Sequence, residues 1–435
     1  MSRIKIKNFG PIREGFVEND GWLDIEKVTV FIGDQGSGKS TVAKLISIFL
    51  WLEKNLFRGD ISVEQLNFTV IKTLCKQQEL GEYFSEDTLL NFEGDVYSFE
   101  CDAKSKFFKG WETQYQGGSY VLPKIQYVSA ARNLLTILYS IPTQNIVGKG
   151  GNIIEMSSIP YMVRVLNQEY LRALEVFAKN GFSLPLDETS VHYENHRTFI
   201  KAKGKAISMS AASSGIQSIT PLLLVSHFLL NEVTTDVLDK VQDINDNRKK
   251  QIEISLAKES ESLAEKYRQL YNFGKGILAK EDGMLLTEKL KRYISSSFVN
   301  IVEEPEQNLF PTSQQKVINS LLEYNNIVKD NKLIITTHSP YVINYLMLAI
   351  KASEIERKAK ANKDVKSKIY EIVPEKATTP LESVTIYELN EVDGTITKLA
   401  HSSGLPSNEH YLNNLLGETN ILFSKLMEIE DLCEE

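Results

Sequence analysis

Cysteine is nearly missing from this chain, with three residues in 435: Cys75, Cys101 and Cys433. They lie far apart, with no CxxC pair and no neighbouring histidine at zinc-ligand spacing. That excludes a disulfide scaffold and a structural zinc site, and it reads as reduced intracellular thiols. Positive charge is also in deficit: 49 Lys and Arg stand against 57 Asp and Glu, for a net charge of -8. A surface that is basic overall is thereby excluded, although a local basic patch is not. No apolar run reads as long enough to span a bilayer. The N-terminal MSRIKIKNFGPI alternates polar and apolar residues and lacks the layout of a secretion signal. The expectation is a cytoplasmic protein with no membrane partner. Internal repeats and low-complexity segments are absent as well.

What is present is an ordinary globular composition, 42% hydrophobic and 24% charged. A chain of this length can bury a large core and is expected to hold one big domain with an inserted piece. Arg3–Phe9 reads as a strand of period two, and Gly15–Glu18 as the start of a return strand. Lys27–Ile32 is a short apolar strand, and Ser40–Leu52 a helix. Ile125–Ala130 is a further buried strand. Helical patterns follow over Leu134–Tyr139 and Tyr161–Lys179. Arg197–Met209 reads as a hairpin turning at Gly204, before a helix carrying Ile219, Leu222 and Phe228. Asn231–Arg292 differs in character: it is rich in Lys, Glu and Asp with a thin apolar stripe. It reads as an inserted helical hairpin or short coiled coil. Phe298–Val302 and Leu333–Thr336 have the look of central parallel strands. Residues 351–370 are rich in Lys and Arg. Asp393-Gly394 signals a hairpin between Val384–Leu389 and Thr395–Leu399. The tail Glu428–Glu435 is acidic.

Four short motifs carry chemistry. Gly33-Asp34-Gln35-Gly36-Ser37-Gly38-Lys39-Ser40-Thr41 matches GxxxxGK[ST] between a strand and a helix, the context that a phosphate-binding loop needs. Backbone N–H groups and the helix N-terminus would cradle phosphates. Lys39 would reach the β- and γ-phosphates of ATP, and Ser40 would offer its hydroxyl to Mg2+. Second, the apolar Phe298–Val302 runs into Glu303-Glu304-Pro305-Glu306. Glu303 is a candidate Mg2+ ligand and Glu304 a candidate general base, with strand alternation aiming the two carboxylates apart. Third, His338 in Thr336-Thr337-His338-Ser339-Pro340 is placed to sense a γ-phosphate. Fourth, Ser213-Ser214-Gly215-Ile216-Gln217-Ser218 opens a helix, and read alone it is a cap.

In combination these motifs resemble the ABC-type ATPase superfamily, and within it the OLD-like AAA branch, akin to the heads of SMC proteins. The resemblance rests on IKIKNFGPI, GDQGSGKS, SSGIQS, IVEEPEQNLFP and ITTHSP, and it covers most of the chain outside Asn231–Arg292. It implies an α/β fold: an ABC-type P-loop ATPase head with a mixed or parallel central sheet, an antiparallel β subdomain and an inserted helical arm. Residues 1–230 would form the N-terminal part of the head, 231–292 the insertion and 293–435 the C-terminal part. Ser214 and Gly215 would be the signature that meets ATP bound to a second copy, and Leu309-Phe310-Pro311 the loop linking the two sites. The sequence departs from the branch at Gln35, where an Asn is usual, and at Asn308 and Phe310, where histidines are common. Gln126 is a candidate for the branch's phosphate-facing glutamine.

The resemblance also implies partners. Compact heads of this branch include the AriA-type ATPase subunits of PARIS anti-phage systems, which pair with a separate TOPRIM nuclease. Septu and retron ATPases pair with an HNH nuclease. The reading is therefore a sensor and regulatory ATPase working as a head-to-head dimer, or as a larger ring such as a hexamer built from dimers, with a separate effector nuclease and a viral trigger. The alternative is a DNA-repair or DNA-binding ATPase resembling SMC-like or RecF heads. For that reading, the basic segment 351–370 would be the nucleic-acid contact. A self-contained OLD nuclease is disfavoured: about a hundred residues follow His338, few for an added domain. Six histidines show no HNH-like cluster.

Overall fold

The computed structural model describes residues 2–113, 120–138, 160–186, 188–402, 405–406, 412–413 and 424–426. Tyr139, Cys433 and the acidic tail Glu428–Glu435 lie outside them. Three of the four sheets among the described residues organise the chain. The first is antiparallel, in the order β3-β1-β5-β6-β7. Its strands are β1 (Arg3–Phe9), β3 (Trp22–Asp24), β5 (Phe84–Glu93), β6 (Tyr97–Asp102) and β7 (Phe107–Glu112). The central sheet has seven strands: β2 (Gly15–Phe16), β16 (Thr395–Lys398), β15 (Val384–Leu389), β4 (Val28–Gly33), β14 (Lys332–Thr337), β13 (Ser297–Glu303) and β8 (Pro123–Val128), in that order. Neighbours from β15 to β8 pair in parallel, and β15 with β16 is the antiparallel exception. The third sheet is antiparallel and joins β9 (Phe182–Ser183), β10 (Thr189–Glu194), β11 (Arg197–Ala202) and β12 (Lys205–Ser208).

Period-two alternation sends the central strands' side chains to two different cores. Phe298 and Val302 of β13 join one cluster, Val299 and Ile301 the other. Both faces are covered, so β13 is buried along its whole length. On one face lies α1 (Lys39–Arg58), sandwiched between the central sheet and the β1 sheet through Val42, Leu45, Ile46 and Phe49. Below it sits α2 (Phe68–Gln77). The opposite face is covered by α5 (Ser214–Thr234), α10 (Pro311–Ile327) and α11 (Pro340–Ala359), with α4 (Tyr161–Ala173) alongside. Two shorter helices, α3 (Asn133–Leu138) and α12 (Lys363–Tyr370), complete the head.

Several expectations change in the folded chain. The segment at Gly15 does run back beside β1, with Gly15 against the Ile6 carbonyl, but its ladder partner is not β1. The turn at Phe9–Ile12 brings it back, and β2 then pairs with β16 in the central sheet. The reason is the Asp393-Gly394 turn, whose Gly394 carbonyl accepts the N–H groups of Arg13 and Gly15 and holds that segment at the sheet edge. Among the described residues one helix, α5, is long and apolar enough to cross a membrane by length and composition, yet 72% of that stretch is buried inside the protein. Its apolarity serves the core.

Within the inserted segment, Asp246–Glu259 and Glu261–Phe273 do form a helical hairpin, with Glu253 of one helix pairing with Arg268 of the other, but further helices turn it into a small bundle and not a coiled coil. The segment folds as α6 (Val237–Lys240), α7 (Asp246–Glu259), α8 (Glu261–Phe273) and α9 (Lys280–Leu290) around a separate small core that includes Ile252, Leu256, Tyr267 and Leu286. Gly274, with φ of 83°, ends α8. The helices are therefore too short for a supercoil. The bundle leans on the far end of α1, where Arg248 pairs with Asp60 and the Arg292 guanidinium donates to the Phe57 carbonyl at 3.0 Å.

Candidate nucleotide site

The loop after β4 is shaped by its glycines. Gly33 has φ of 140°, and a Cβ there would lie 2.3 Å from the Leu389 carbonyl. Gly38 caps α1 in the left-handed region and offers no side chain to the first turn. The helix therefore opens with N–H groups directed at an anion site. Lys39 is buried at the base of this cradle. Its ammonium donates to the carbonyls of Gly33 at 2.9 Å and Asp34 at 2.6 Å. Burial pulls its pKa down to about 8, against the opposing pull of Glu304, Asp34, Glu306 and Glu391. Gln35 and Gly36 are exposed, as is Ser40, while Ser37 and Thr41 are buried.

The acidic pair divides at the end of β13. Glu303 is the last strand residue and is buried. Its Oε1 accepts the Tyr127 hydroxyl at 2.6 Å, and its Oε2 accepts the Ala130 N–H at 2.9 Å. Glu304 follows with φ of 43°, a left-handed conformation that costs about 1–2 kcal/mol in a non-glycine residue. The two carboxylates do diverge, but through this turn and not through strand alternation. Glu304 stays half-exposed, with Oε1 3.5 Å from Nε2 of His338. Burial and the Lys39 charge lower the His338 pKa, so the ring is neutral at neutral pH.

Glu306 holds the two strand ends together. Its Oε1 accepts the Thr337 hydroxyl at 2.7 Å and the His338 N–H at 2.9 Å, and burial raises its pKa. The helix start at Ser213–Ser218 lies against this turn. Ser213 caps α5 by accepting the Ile216 N–H, and Ser214 is exposed. Gly215 is buried, and a Cβ there would come 2.7 Å from the Asn308 carbonyl. Phe310 is 74% exposed beside this contact.

The fold thus brings Gly33, Lys39, Glu304 and His338 to one place and sets Gly215 against the same acidic loop. Gln126 is elsewhere: it is buried in β8, and its amide donates to the Tyr127 carbonyl at 2.9 Å. Sequence reading missed Tyr127, Arg132 and the bridging role of Glu306. The last stood in plain view in the EEPE block; the other two have no local signal beyond following a buried strand.

A phosphate cradle opening a helix at the carboxyl ends of parallel strands, with an acidic turn on an adjacent strand, defines a P-loop nucleotide-binding protein. The chain matches the family described as AAA ATPase domain over residues 1–270 and 197–343. It belongs to that family, and its class is that of a nucleotide-binding ATPase. Similar solved structures include an SMC head bound to the C-terminal winged-helix domain of ScpA, at 9% identity over 92% of this chain and 98% of that one, with a TM-score of 0.41. Another is the SMC head domain from Thermotoga maritima, at 10% identity over 92% and 98%, TM-score 0.34. A third is an Smc head with an extended coiled coil bound to the C-terminal domain of ScpA, from Pyrococcus furiosus, at 10% identity over 100% of both chains, TM-score 0.35. No curated protein matches the chain.

Proposed function

We propose that this chain hydrolyses ATP at a site completed by a second copy, and that the cycle regulates a separate effector in an anti-phage defence complex. The observation that carries the catalytic part is the Glu304 carboxylate, 3.5 Å from His338 and beside the P-loop lysine. Glu304 is the general base. It takes the proton from the attacking water as the water oxygen bonds to the γ-phosphorus and the bond to the β–γ bridging oxygen breaks. Lys39, still largely protonated at neutral pH, offsets the charge that builds on the phosphate oxygens. Neutral His338 donates a hydrogen bond to the γ-phosphate. Mg2+, when bound with the nucleotide, would neutralise the phosphates. The exposed Ser40 hydroxyl and Glu303 fit it, Glu303 through water, because both its carboxylate oxygens already accept hydrogen bonds.

Ser214 is exposed at the start of α5 and free to face a second copy's nucleotide, supporting a head-to-head dimer that could stack toward a hexamer. The motif combination supports the regulatory reading, with a TOPRIM nuclease as the favoured effector, an HNH nuclease as the near alternative and a viral protein as trigger. A DNA-repair role draws less support from the basic segment, because three of its six lysines are paired with carboxylates of the same segment. Lys351 and Lys358 pair with Glu354, and Lys366 with Glu356.

The test is Glu304→Gln. The variant keeps the shape and loses the base, so it should bind ATP normally, lose turnover by on the order of a hundred-fold or more, and accumulate as a dimer in light scattering. Turnover at the wild-type rate would sink the assignment. Co-expression with the neighbouring genes, followed by phage plating, tests the defence role; loss of protection in Glu304→Gln is the expected outcome, and unchanged protection would overturn it.

A further inference from the structure

Among the described residues Arg132 is the largest fully buried side chain, at 0% exposure. It stands in the turn after β8, and among the described residues no carboxylate is in hydrogen-bond contact with it. Its guanidinium instead donates to four backbone carbonyls. Nε reaches Ser218 at 3.0 Å, Nη1 reaches Ser129 at 3.3 Å and Glu303 at 2.6 Å, and Nη2 reaches Glu304 at 2.7 Å. Burial lowers its pKa to about 10, so it stays charged at neutral pH. Burying a cation is costly unless dipoles satisfy it, and here three of the four dipoles belong to two different functional elements, the fourth being Ser129 of its own turn.

The first element is the acidic turn. Both successive carbonyls, of Glu303 and Glu304, point at one planar fork. The Glu304 N–H is tied to the Thr336 carbonyl at 2.8 Å. Together these bonds hold the left-handed Glu304 and so aim its carboxylate. The second element is α5. Its Ser218 carbonyl takes the remaining edge of the fork, its Ser218 hydroxyl meets the Gln307 side chain at 3.3 Å, and its Ser226 hydroxyl accepts the Asn300 amide of β13 at 2.8 Å. The helix and the turn are therefore bonded at both levels of the strand.

We propose that Arg132 is a positioning residue that locks the Glu304 turn to the first turns of α5, so that the state of one nucleotide site sets the position of Ser214, which serves the site of the second copy. This rests on the catalytic reading above. A planar five-donor fork is required, because a lysine would supply a point charge and could not hold two successive carbonyls and the Ser218 carbonyl in one geometry.

The first arm of the test is Arg132→Lys in the full chain. It should bind a fluorescent ATP analogue with Mg2+ within about two-fold of wild type, yet lose kcat by on the order of a hundred-fold with little change in KM, as expected for a misplaced base. The second arm does not depend on that variant folding. In Ser214→Arg, which blocks the sandwich at an exposed position, ATP should change hydrogen exchange in residues 303–307 and 214–220 together. A folded Arg132→Lys with wild-type kcat would overturn the proposal, and so would protection that changes at 303–307 alone. The two levels stay separable: a wild-type chain with no turnover removes the catalytic reading itself, whereas wild-type turnover with an unimpaired Arg132→Lys removes only this inference.

Discussion

The Tyr127 hydroxyl donates to Oε1 of Glu303 over 2.6 Å, inside the sheet and away from solvent. Burial and the adjacent carboxylate raise the phenol's pKa well above its ordinary value, so it remains a donor at any physiological pH. Tyr127→Phe leaves one buried carboxylate oxygen without its partner, at a cost of about 1–3 kcal/mol. Thermal unfolding should show that loss. In addition, the Mg2+ concentration needed for half-maximal turnover should shift, because Glu303 is released from one of its two anchors. An unchanged Mg2+ dependence would mean that Glu303 does not bear on the metal.

Gly215→Ala should act through shape. The added methyl would meet the Asn308 carbonyl at 2.7 Å and Cδ2 of Leu309 at 3.2 Å. Overpacking of this kind costs about 1–3 kcal/mol. We expect ATP affinity of the single chain to be retained, while turnover falls at least about ten-fold as the acidic loop is displaced. Equal losses in affinity and turnover would contradict the prediction.

Glu53 supplies a pH signature remote from the nucleotide. It is buried at 1% exposure and accepts the N–H groups of Val96 and Tyr97 on Oε1. Burial raises its pKa from 4.5 to about 7. The folded chain thus binds this proton more tightly than the unfolded chain. Its contribution to stability is fully present below pH 4.5 and is lost as the pH rises through 7. Glu53→Gln removes that dependence. Relative to wild type, the variant should gain about 2 kcal/mol between pH 5 and pH 8, at roughly 1.4 kcal/mol per pKa unit. Parallel denaturation curves at the two pH values check it; an equal offset at both would refute the assignment.

Excision of the inserted bundle tests whether it is a docking element. The cut belongs after Thr235, since α5 runs through Thr234. Replacing residues 236–292 with a short flexible linker removes the Arg248–Asp60 and Arg292–Phe57 contacts at the end of α1. The head should fold and bind ATP, but the Glu304→Gln dimer should lose higher assembly or effector control. Unchanged oligomer size and unchanged control would leave the bundle a stabilising appendage.

Much of the site was legible in the sequence because its signals are local. GDQGSGKS dictates a loop that opens a helix, whatever the surrounding fold. The apolar runs at Lys27–Ile32, Phe298–Val302 and Leu333–Thr336 are strands of a sheet covered on both faces, and they deliver the P-loop, Glu304 and His338 to one edge. The charged segment before β13 was recognisable as helical, but the break at Gly274 and the separate small core make it a bundle.

By itself, then, the sequence determined the glycine loop that opens a helix and the order of the motifs that end the central strands, and it singled out Lys39, Glu304 and His338 as candidates. Each follows from residues within one turn or one strand. Only the tertiary structure decided that Glu303 turns inward to Tyr127, that Glu304 turns outward through a left-handed residue, and that Arg132 binds both to α5. Those relationships join residues 176 apart for Tyr127 and Glu303, and 86 apart for Arg132 and Ser218. A hydrogen bond across such a separation is specified by how the sheet and helices pack and leaves no periodicity in the chain, so it becomes visible only when the layers are assembled.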